Sequence, residues 1–599
     1  MPPETPDSAA PAHVTSLAPA GSAAPSAQVS LGAEAPVWQR HVPAWLSDAD
    51  RWMARPRSAR SAVVWLSLYL LVAANWPLWS ALARLGGAPS VYMRWIAAMA
   101  VLVGFGTLAV LALTAWSRWM KPLWFALLLV AATAQHYMLT YHVVMDPTMA
   151  ANAMQTDLHE TRDLMGLRML LNVLLVMALP TWWLIRARIV PMRLWSQLWR
   201  NAVLLVAALA VVAGGAAAMS RDLAPLMRNN TTLRYMVNPL AAVYSTGAVF
   251  IKPLFKRSGK LVPITGGAAL GTSYAAQAKP PLFVMVVGET GRADHFALNG
   301  YARDTTPELA ARQVLSWRNV HSCGTNTLAS VPCMFSHLGK EGYEGRKDDY
   351  ENLLDVAQAA GLAVLWIDNQ AGCKSVCVRV PNVSAADGLD PAVQSALCDG
   401  DECLDDVMLK NIDRRIAALP AERRSKGVIL VMHQMGSHGP AYYKRSSADS
   451  KRFMPECKTN VLAECSHGEL INAYDNSIVH TDQFLAHTID WLKTQLPKFD
   501  TGMLYMSDHG ESLGEFGLFL HGLPYNIAPD VQKHVPMVAW FDAGLLAREK
   551  LSMGCLQADR DTALTHDNLY HTLLGVMDVQ TPTYKKQLDA WAHCRSTAS

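Results

Sequence analysis

Five apolar stretches follow one another over residues 62–83, 95–117, 122–145, 169–185 and 201–220, and none contains Asp, Glu, Lys or Arg. Each approaches the roughly 20 residues that cross about 30 Å of hydrocarbon. Buried core helices are the alternative reading, but five charge-free windows in succession favour membrane spans. Residues 61–220 carry 14 charged residues in 160 positions, whereas the rest of the chain carries 87 in 439. The first window is too long for a signal-peptide core and four more follow it, so it is expected to stay uncleaved. Residues 1–60, rich in Ala, Pro and Ser without an apolar period, are expected to be a disordered cytoplasmic tail.

Basic residues set the orientation. Arg51, Arg55, Arg57 and Arg60 precede the first span, Arg118 and Lys121 follow the second, and Arg186, Arg188, Arg193 and Arg200 follow the fourth. These belong on the cytoplasmic side. The loop after the third span carries Asp146, Asp157 and Glu160, a contrast diluted by Arg162 and Arg168. Everything after residue 220 is then outside, which in a cell with two membranes is the periplasm. Cysteine usage agrees. All ten cysteines lie at or after Cys323. They fall as Cys323 with Cys333, Cys373 with Cys377, Cys398 with Cys403, Cys457 with Cys465, and Cys555 with Cys594. Close pairs on the oxidising side read as disulfides, the last assigned by remainder. A metal site at Cys373 and Cys377 is disfavoured, since no second pair has zinc-finger spacing. The net charge of +3 excludes a strongly basic nucleic-acid binder.

Residues 61–220 are therefore the transmembrane domain, 221–280 a periplasmic connector and 281–599 a domain of different texture. In the last, short apolar runs at Leu282–Val287, Leu362–Ile367, Val428–Met432, Met503–Met506 and Val535–Trp540 alternate with helix-like segments, which implies a mostly parallel sheet covered on both faces. Ligands in such sheets bind at the carboxyl ends of the strands. Glu289 follows the first run; His433 and His438 follow the third; Asp508, His509 and Glu511 follow the fourth. Carboxylates and imidazoles at three strand ends are a ligand set suited to Zn²⁺. Between the first two runs lies a small-residue segment with Thr325 and Thr327 before a helix-like stretch. A hydroxyl there sits in the positive potential of a helix N-terminus, where a phosphate also fits. Either threonine could equally be an N-cap, and chemistry alone does not choose between them.

The segments Gly288–Arg292, Cys323–Thr327 with Val331–Ser336, Gly436–Pro440, and Ser507–Gly514 with Leu520–Gly522 closely resemble the lipid A phosphoethanolamine transferases, which include the mobile colistin-resistance enzymes. The resemblance covers about residues 60–595, five-span topology included. It implies an α-helical five-span membrane domain plus an α/β alkaline-phosphatase/sulfatase-like periplasmic domain. Glu289, Thr327, Asp508 and His509 match the family's zinc ligands, and Thr327, not Thr325, matches its nucleophile. Lys374, His438 and His521 match residues around the transferred phosphate, with room for a second zinc near the two histidines. Glu511 matches a substrate-binding position, and His433 a recurrent residue read here as supporting structure. Asn152, Thr156 and Glu160, spaced by four, share a helical face and resemble a polar face near the lipid substrate; a solvated interfacial helix is the plain alternative. Where the family often has Asn or Asp, this chain has Gln370, whose role is open.

The resemblance further implies a monomeric, multi-pass inner-membrane enzyme. It would move phosphoethanolamine from phosphatidylethanolamine to a lipid A phosphate through a covalent threonine intermediate and so weaken polymyxin binding. Transfer to inner-core sugars is the nearest alternative. A sulfatase would need a Cys/Ser-x-Pro-x-Arg signature, which the chain lacks, and a non-catalytic sensor would be expected to have lost a ligand, which this chain has not.

Overall fold

The computed structural model describes residues 44–85, 89–155, 164–256, 260–275, 278–400 and 402–596. Thr156 and Glu160 lie outside them. Two compact units are distinguished, residues 1–55 and 56–599. In the first, Ala44–Met53 is a helix, so the 1–60 segment is not uniformly irregular; the spacing of Trp45, Trp52 and Met53 is too short a pattern to show a period.

In the second unit, α3 (Pro89–Ala112), α4 (Lys121–Thr140), α6 (Leu167–Arg186) and α7 (Leu194–Ala218) are each long and apolar enough to span a membrane. The remaining span is broken: α1 (Ala59–Tyr69) runs on as a π-turn over Leu70–Ala74 and then bends by 48° into α2 (Trp76–Leu85). Two causes of the bend are present, a π-turn and Pro77, which lacks an N–H. Asn75 sits at the break. Its side chain donates to Leu70 O at 2.8 Å and to Asn238 O at 2.5 Å and accepts from Asn238 N at 2.8 Å. Asn238 in turn donates to Ala74 O at 3.0 Å and Ala131 O at 2.7 Å. Two buried amides thus tie the broken span to α4 and to the segment preceding α8 (Leu240–Lys256).

The basic segments meet. Pro56–Arg57 pairs with Arg188–Ile189, and Lys121 Nζ donates to Ala187 O at 2.8 Å. The outward faces carry Leu171, Leu175, Trp195, Trp199 and Val206, all exposed, as expected of surface that meets lipid rather than water. The short helix α5 (Pro147–Gln155), capped by Asp146 accepting from Met149 N at 2.9 Å, follows α4.

The ten cysteines form five disulfides: Cys323–Cys333, Cys373–Cys377, Cys398–Cys403, Cys457–Cys465 and Cys555–Cys594. The sheet orders β4 (Asn382–Ser384), β3 (Ala363–Asp368), β5 (Val428–His433), β1 (Pro281–Gly288), β6 (Asp500–Ser507), β7 (Met537–Phe541) and β2 (Leu315–Trp317). Only β7 runs against the rest. Every residue of β1 is buried. Phe283, Met285 and Val287 enter one core; Leu282, Val284 and Val286 enter the other. The side chains alternate with a period of 2, yet the run is apolar throughout because both faces are covered. Each such side chain contributes about 1.5–3 kcal/mol by leaving water. The helices α9 (Thr327–Met334) and α10 (His467–Gln495) frame the carboxyl end of the sheet. The Cys457–Cys465 disulfide closes the loop that leads into α10, and Cys457 N donates to Glu469 O in its first turn at 2.9 Å.

Replacing Asn238 by Ala takes its side-chain donor from the Ala74 and Ala131 carbonyls, and replacing Asn75 by Ala leaves the main-chain N–H and C=O of Asn238 without their side-chain partner, each unpaired buried group costing about 1–3 kcal/mol. Thermal unfolding in detergent should show Asn238→Ala and Asn75→Ala each lowering the midpoint, with the double variant costing less than the sum of the two.

Candidate active site

Register builds the site. Val287 pairs with His433, and Gly288 with Ser507. The next residues, Glu289 and Asp508, therefore leave adjacent strands side by side, and Asp508 N donates to Gly288 O at 2.9 Å. His509 follows. Glu289, Asp508 and His509 are all buried, and one donor atom of each lies within 4.8 Å of the others.

Their donor atoms converge. Asp508 Oδ1 accepts from Thr290 N at 3.2 Å and His509 N at 2.7 Å, which leaves Oδ2 without a partner. His509 Nδ1 faces Gly510 O at 2.9 Å, so Nδ1 carries a proton and Nε2 is the ring atom turned to the two carboxylates. That Nε2 lies 3.2 Å from Glu289 Oε1 and 3.4 Å from Asp508 Oδ2, close but not aligned for hydrogen bonds. Two ligands at 2.0–2.1 Å from a tetrahedral ion stand about 3.3 Å apart, so this donor set fits a zinc-like cation. The electrostatics agree. Burial pushes Asp508 up to about 7, with Glu289 adding to the rise. Burial also opposes ionisation of Glu289, but His509 outweighs it and holds this carboxyl well below its ordinary range. His509, despite burial, is raised to about 10 by the two carboxylates. A pair of buried carboxylates of this kind calls for a cation between them.

Thr327 is the first residue of α9, whose N-cap Asn326 accepts from Ala329 N at 3.0 Å. Its hydroxyl donates to Glu289 Oε2 at 3.1 Å. The Thr325 hydroxyl donates instead to Leu523 O at 2.6 Å, so of these two it is Thr327 that faces the carboxylates; the other glutamate oxygen, Oε1, accepts from Thr290 Oγ1 at 2.7 Å. Gln370 Nε2 donates to the same Glu289 Oε2 at 3.0 Å. The position whose role the sequence leaves open is thus a direct hydrogen-bond donor to the glutamate of the donor set. Lys374 Nζ donates to Ala371 O at 2.9 Å within its own loop.

His521 and Glu511 form a buried pair, Nδ1 to Oε2 at 3.0 Å. Burial, then the His509 and His438 charges, hold His521 well below its ordinary value, and burial raises Glu511 well above its own. One shared proton between the two satisfies both shifts. The His521 ring centroid is 4.3 Å from that of His509 and 5.6 Å from that of His438. His433 is held from behind, Nδ1 to Asp368 Oδ1 at 2.7 Å, with its ring edge-on to Trp366. Asn152 lies half-buried on α5, one turn after Met149, whose Cε occupies the space a Cβ on Gly522 would need.

Two braces are not marked as functional by the sequence. Arg292, buried, holds Asp294, Glu515 Oε1 at 2.6 Å and Glu511 O at 3.2 Å. His566 accepts from Cys323 N at 3.0 Å and donates to Ser507 O at 3.0 Å, joining the threonine loop to the end of β6. Arg292 stands inside a motif already quoted; His566 offers only a His-Asp pair before a helix.

The comparisons with known proteins define the class first. Residues 281–579 match the sulfatase family and residues 103–254 match phosphoethanolamine transferase EptA/EptB. Phosphatidylethanolamine transferase Mcr-1 of Escherichia coli is 39% identical over 492 residues, 81% of this chain and 88% of that one. Phosphoethanolamine transferase EptA of E. coli K12 is 38% identical, covering 79% and 86%. Kdo(2)-lipid A phosphoethanolamine 7''-transferase of E. coli K12 is 27% identical, covering 81% and 87%. The integral membrane lipooligosaccharide phosphoethanolamine transferase A of Neisseria meningitidis superposes with a TM-score of 0.84 at 30% identity, covering 91% of this chain and all of that one. The chain belongs to the phosphoethanolamine transferase family.

His566 gives a pH dependence. Burial holds it down at about 3, against 6.5 in the unfolded chain. The fold therefore binds fewer protons than the unfolded chain at acid pH. Its stabilisation is complete above pH 6.5 and is lost as pH falls from there toward 3, at up to about 1.4 kcal/mol per pH unit. Unfolding midpoints of the full chain against pH should fall in this window, and His566→Gln should be less stable at about pH 7.5 with a flatter acid limb.

Proposed function

We propose that the chain transfers phosphoethanolamine from phosphatidylethanolamine to a phosphate of lipid A, with Thr327 as nucleophile. The observation that carries this reading is the Thr327 hydroxyl at a helix N-terminus, 3.1 Å from a glutamate that stands in a buried Glu–Asp–His donor set. Thr327 Oγ1 bonds to phosphorus, the bond from phosphorus to the diacylglycerol oxygen breaks, and that oxygen takes a proton. A lipid A phosphate oxygen then bonds to the same phosphorus and Thr327 leaves with its proton restored. Two displacements through one covalent adduct imply ping-pong kinetics.

Glu289, Asp508, His509 and Thr327 are the residues that would hold zinc. Bound there, zinc supplies a lowered hydroxyl pKa and charge compensation for the phosphate oxygens. Glu289 Oε2 accepts the Thr327 hydrogen bond and aims Oγ1, whose proton goes by way of His521 and His438 to the leaving oxygen. His521, poised by Glu511, and His438 exchange protons with the leaving and entering oxygens, and they leave room for a second zinc. Gln370 fixes the glutamate from its other side. Lys374 supplies a point charge for the phosphate once released from Ala371 O. Asn152, Thr156 and Glu160 are assigned to binding the lipid substrate, the last two from the sequence alone.

Localisation follows the charge bias: a monomer in the inner membrane with residues 281–599 in the periplasm, where donor and acceptor are both membrane lipids. The added ethanolamine carries a positive charge, which lowers the attraction of the surface for cationic peptides such as polymyxins. Similarity to the Kdo(2)-lipid A enzyme favours a second reading, transfer to an inner-core sugar.

Mass spectrometry of lipid A and core fragments from cells expressing the chain separates the two acceptors. Thr327→Ala should lower the adduct at least about a thousandfold, to background; an unchanged adduct overturns the nucleophile. Asp508→Asn and His509→Ala should each lower the zinc content of the purified full chain.

A further inference from the structure

Behind the turn that carries His438 lies a buried carboxylate the transfer chemistry does not use. Asp405 follows the antiparallel pair Cys398–Asp399 and Glu402–Cys403, which a disulfide closes. It is 3% exposed. Its Oδ1 accepts from Asn369 Nδ2 and Met435 N, both at 2.8 Å. Its Oδ2 accepts from Gly436 N at 3.0 Å and Gln434 Nε2 at 3.2 Å. Hydrogen bonds to a carboxylate are roughly twice as strong as neutral ones, and four of them meet here.

The same hairpin grips the turn a second time. Arg445, whose side chain is 4% exposed, donates Nε to His438 O at 3.0 Å and Nη1 to Glu402 Oε2 at 3.2 Å. On the opposite side, Ser437 N donates to Glu289 O at 3.0 Å. Gly436 has φ +52°, and a Cβ there would lie 2.6 Å from Glu289 O. The residues 435–438 are thus pressed between the Glu289 backbone and the hairpin, held by contacts that reach main-chain atoms of the turn.

We propose that Asp405 and the Glu402–Arg445 pair form a positioning clamp that sets where the His438 imidazole stands relative to Thr327. The clamp acts on transfer through His438 and therefore rests on the role assigned to that histidine above. An Asn at 405 would turn an amide N–H₂ toward N–H donors and let the turn drift, and a shift of about 1 Å can cost about a hundredfold in rate.

The test uses the full chain in detergent with phosphatidylethanolamine micelles and follows adduct formation on Thr327 by intact mass in single turnover, where slow variants are still measurable. Asp405→Asn should load Thr327 at least about tenfold more slowly, with zinc content and half-saturating donor concentration unchanged. In a His438→Ala background the same substitution should cost less than about twofold, since the histidine it positions is gone. Equal costs in both backgrounds, or a rate for Asp405→Asn within about twofold of the unsubstituted chain, overturn the clamp. If Asp405→Asn does not fold, Asn369→Ala, which removes one of the four donors, carries the same comparison with a smaller loss. A His438→Ala variant that loads at the full rate overturns the histidine's role and the clamp with it, whereas a slow His438→Ala with equal costs overturns the clamp alone.

Discussion

Two carboxylates held side by side where water does not reach are the constraint on which the site depends. Glu289 and Asp508 are there because β1 and β6 are neighbours in register, and a slip of one residue in either strand would turn one carboxyl to the far face. Buried like charges are costly unless positive charge stands between them. The surrounding features answer that cost: two backbone N–H groups on Asp508 Oδ1, the raised His509, and Gln370 and Thr327 on Glu289. The hydroxyl of Thr327 is therefore part of the charge compensation, and its oxygen stands beside the donor set.

The membrane part touches this arrangement directly. Tyr141 and His142, at the end of α4, hold the residues after Glu511: Phe519 N donates to Tyr141 O at 3.2 Å and His142 Nδ1 faces Gly517 O at 3.1 Å. Tyr141 also donates to Asn460 O at 3.0 Å, inside the loop that Cys457 and Cys465 close, and Arg168, in the first turn of α6, pairs with Glu464 beside it. Both partners of that last pair are about half exposed, so it adds little energy. The joint rests on one main-chain bond, on two side-chain bonds to main-chain carbonyls and on packing.

Much of this was legible in the chain. Charge-free windows and basic flanks marked the spans because hydrocarbon tolerates so little polarity, and unbroken apolar runs marked β1, β3, β5 and β6 because both faces are covered. Strand ends then pointed to Glu289, Asp508 and His509. Close spacing marked the short disulfide loops, Cys457 with Cys465 among them, but said nothing of what each loop would hold. The antiparallel course of β7 and the edge strands β2 and β4 were not legible; three-residue strands carry no period. Asn75 could be seen but not its partner Asn238, 163 residues away. Asp405 and His566 escaped for the same reason, and so did the role of Gln370: each acts by one or more contacts made across the fold, which its own neighbourhood does not show. Between Thr325 and Thr327 chemistry alone did not choose and the resemblance did; that Thr325 is held by the carbonyl of Leu523 is again a contact made across the fold.

Gly522 follows His521 in the chain, with φ +89° and Met149 of α5 filling the place of its missing side chain. Its N–H donates to Thr325 O at 2.8 Å. One side of the turn that carries His521 is thus covered by the helix that follows the third span. Cut free of its helices, residues 281–599 would keep their donor set and lose that cover, opening beside His521 a gap that the whole molecule keeps closed.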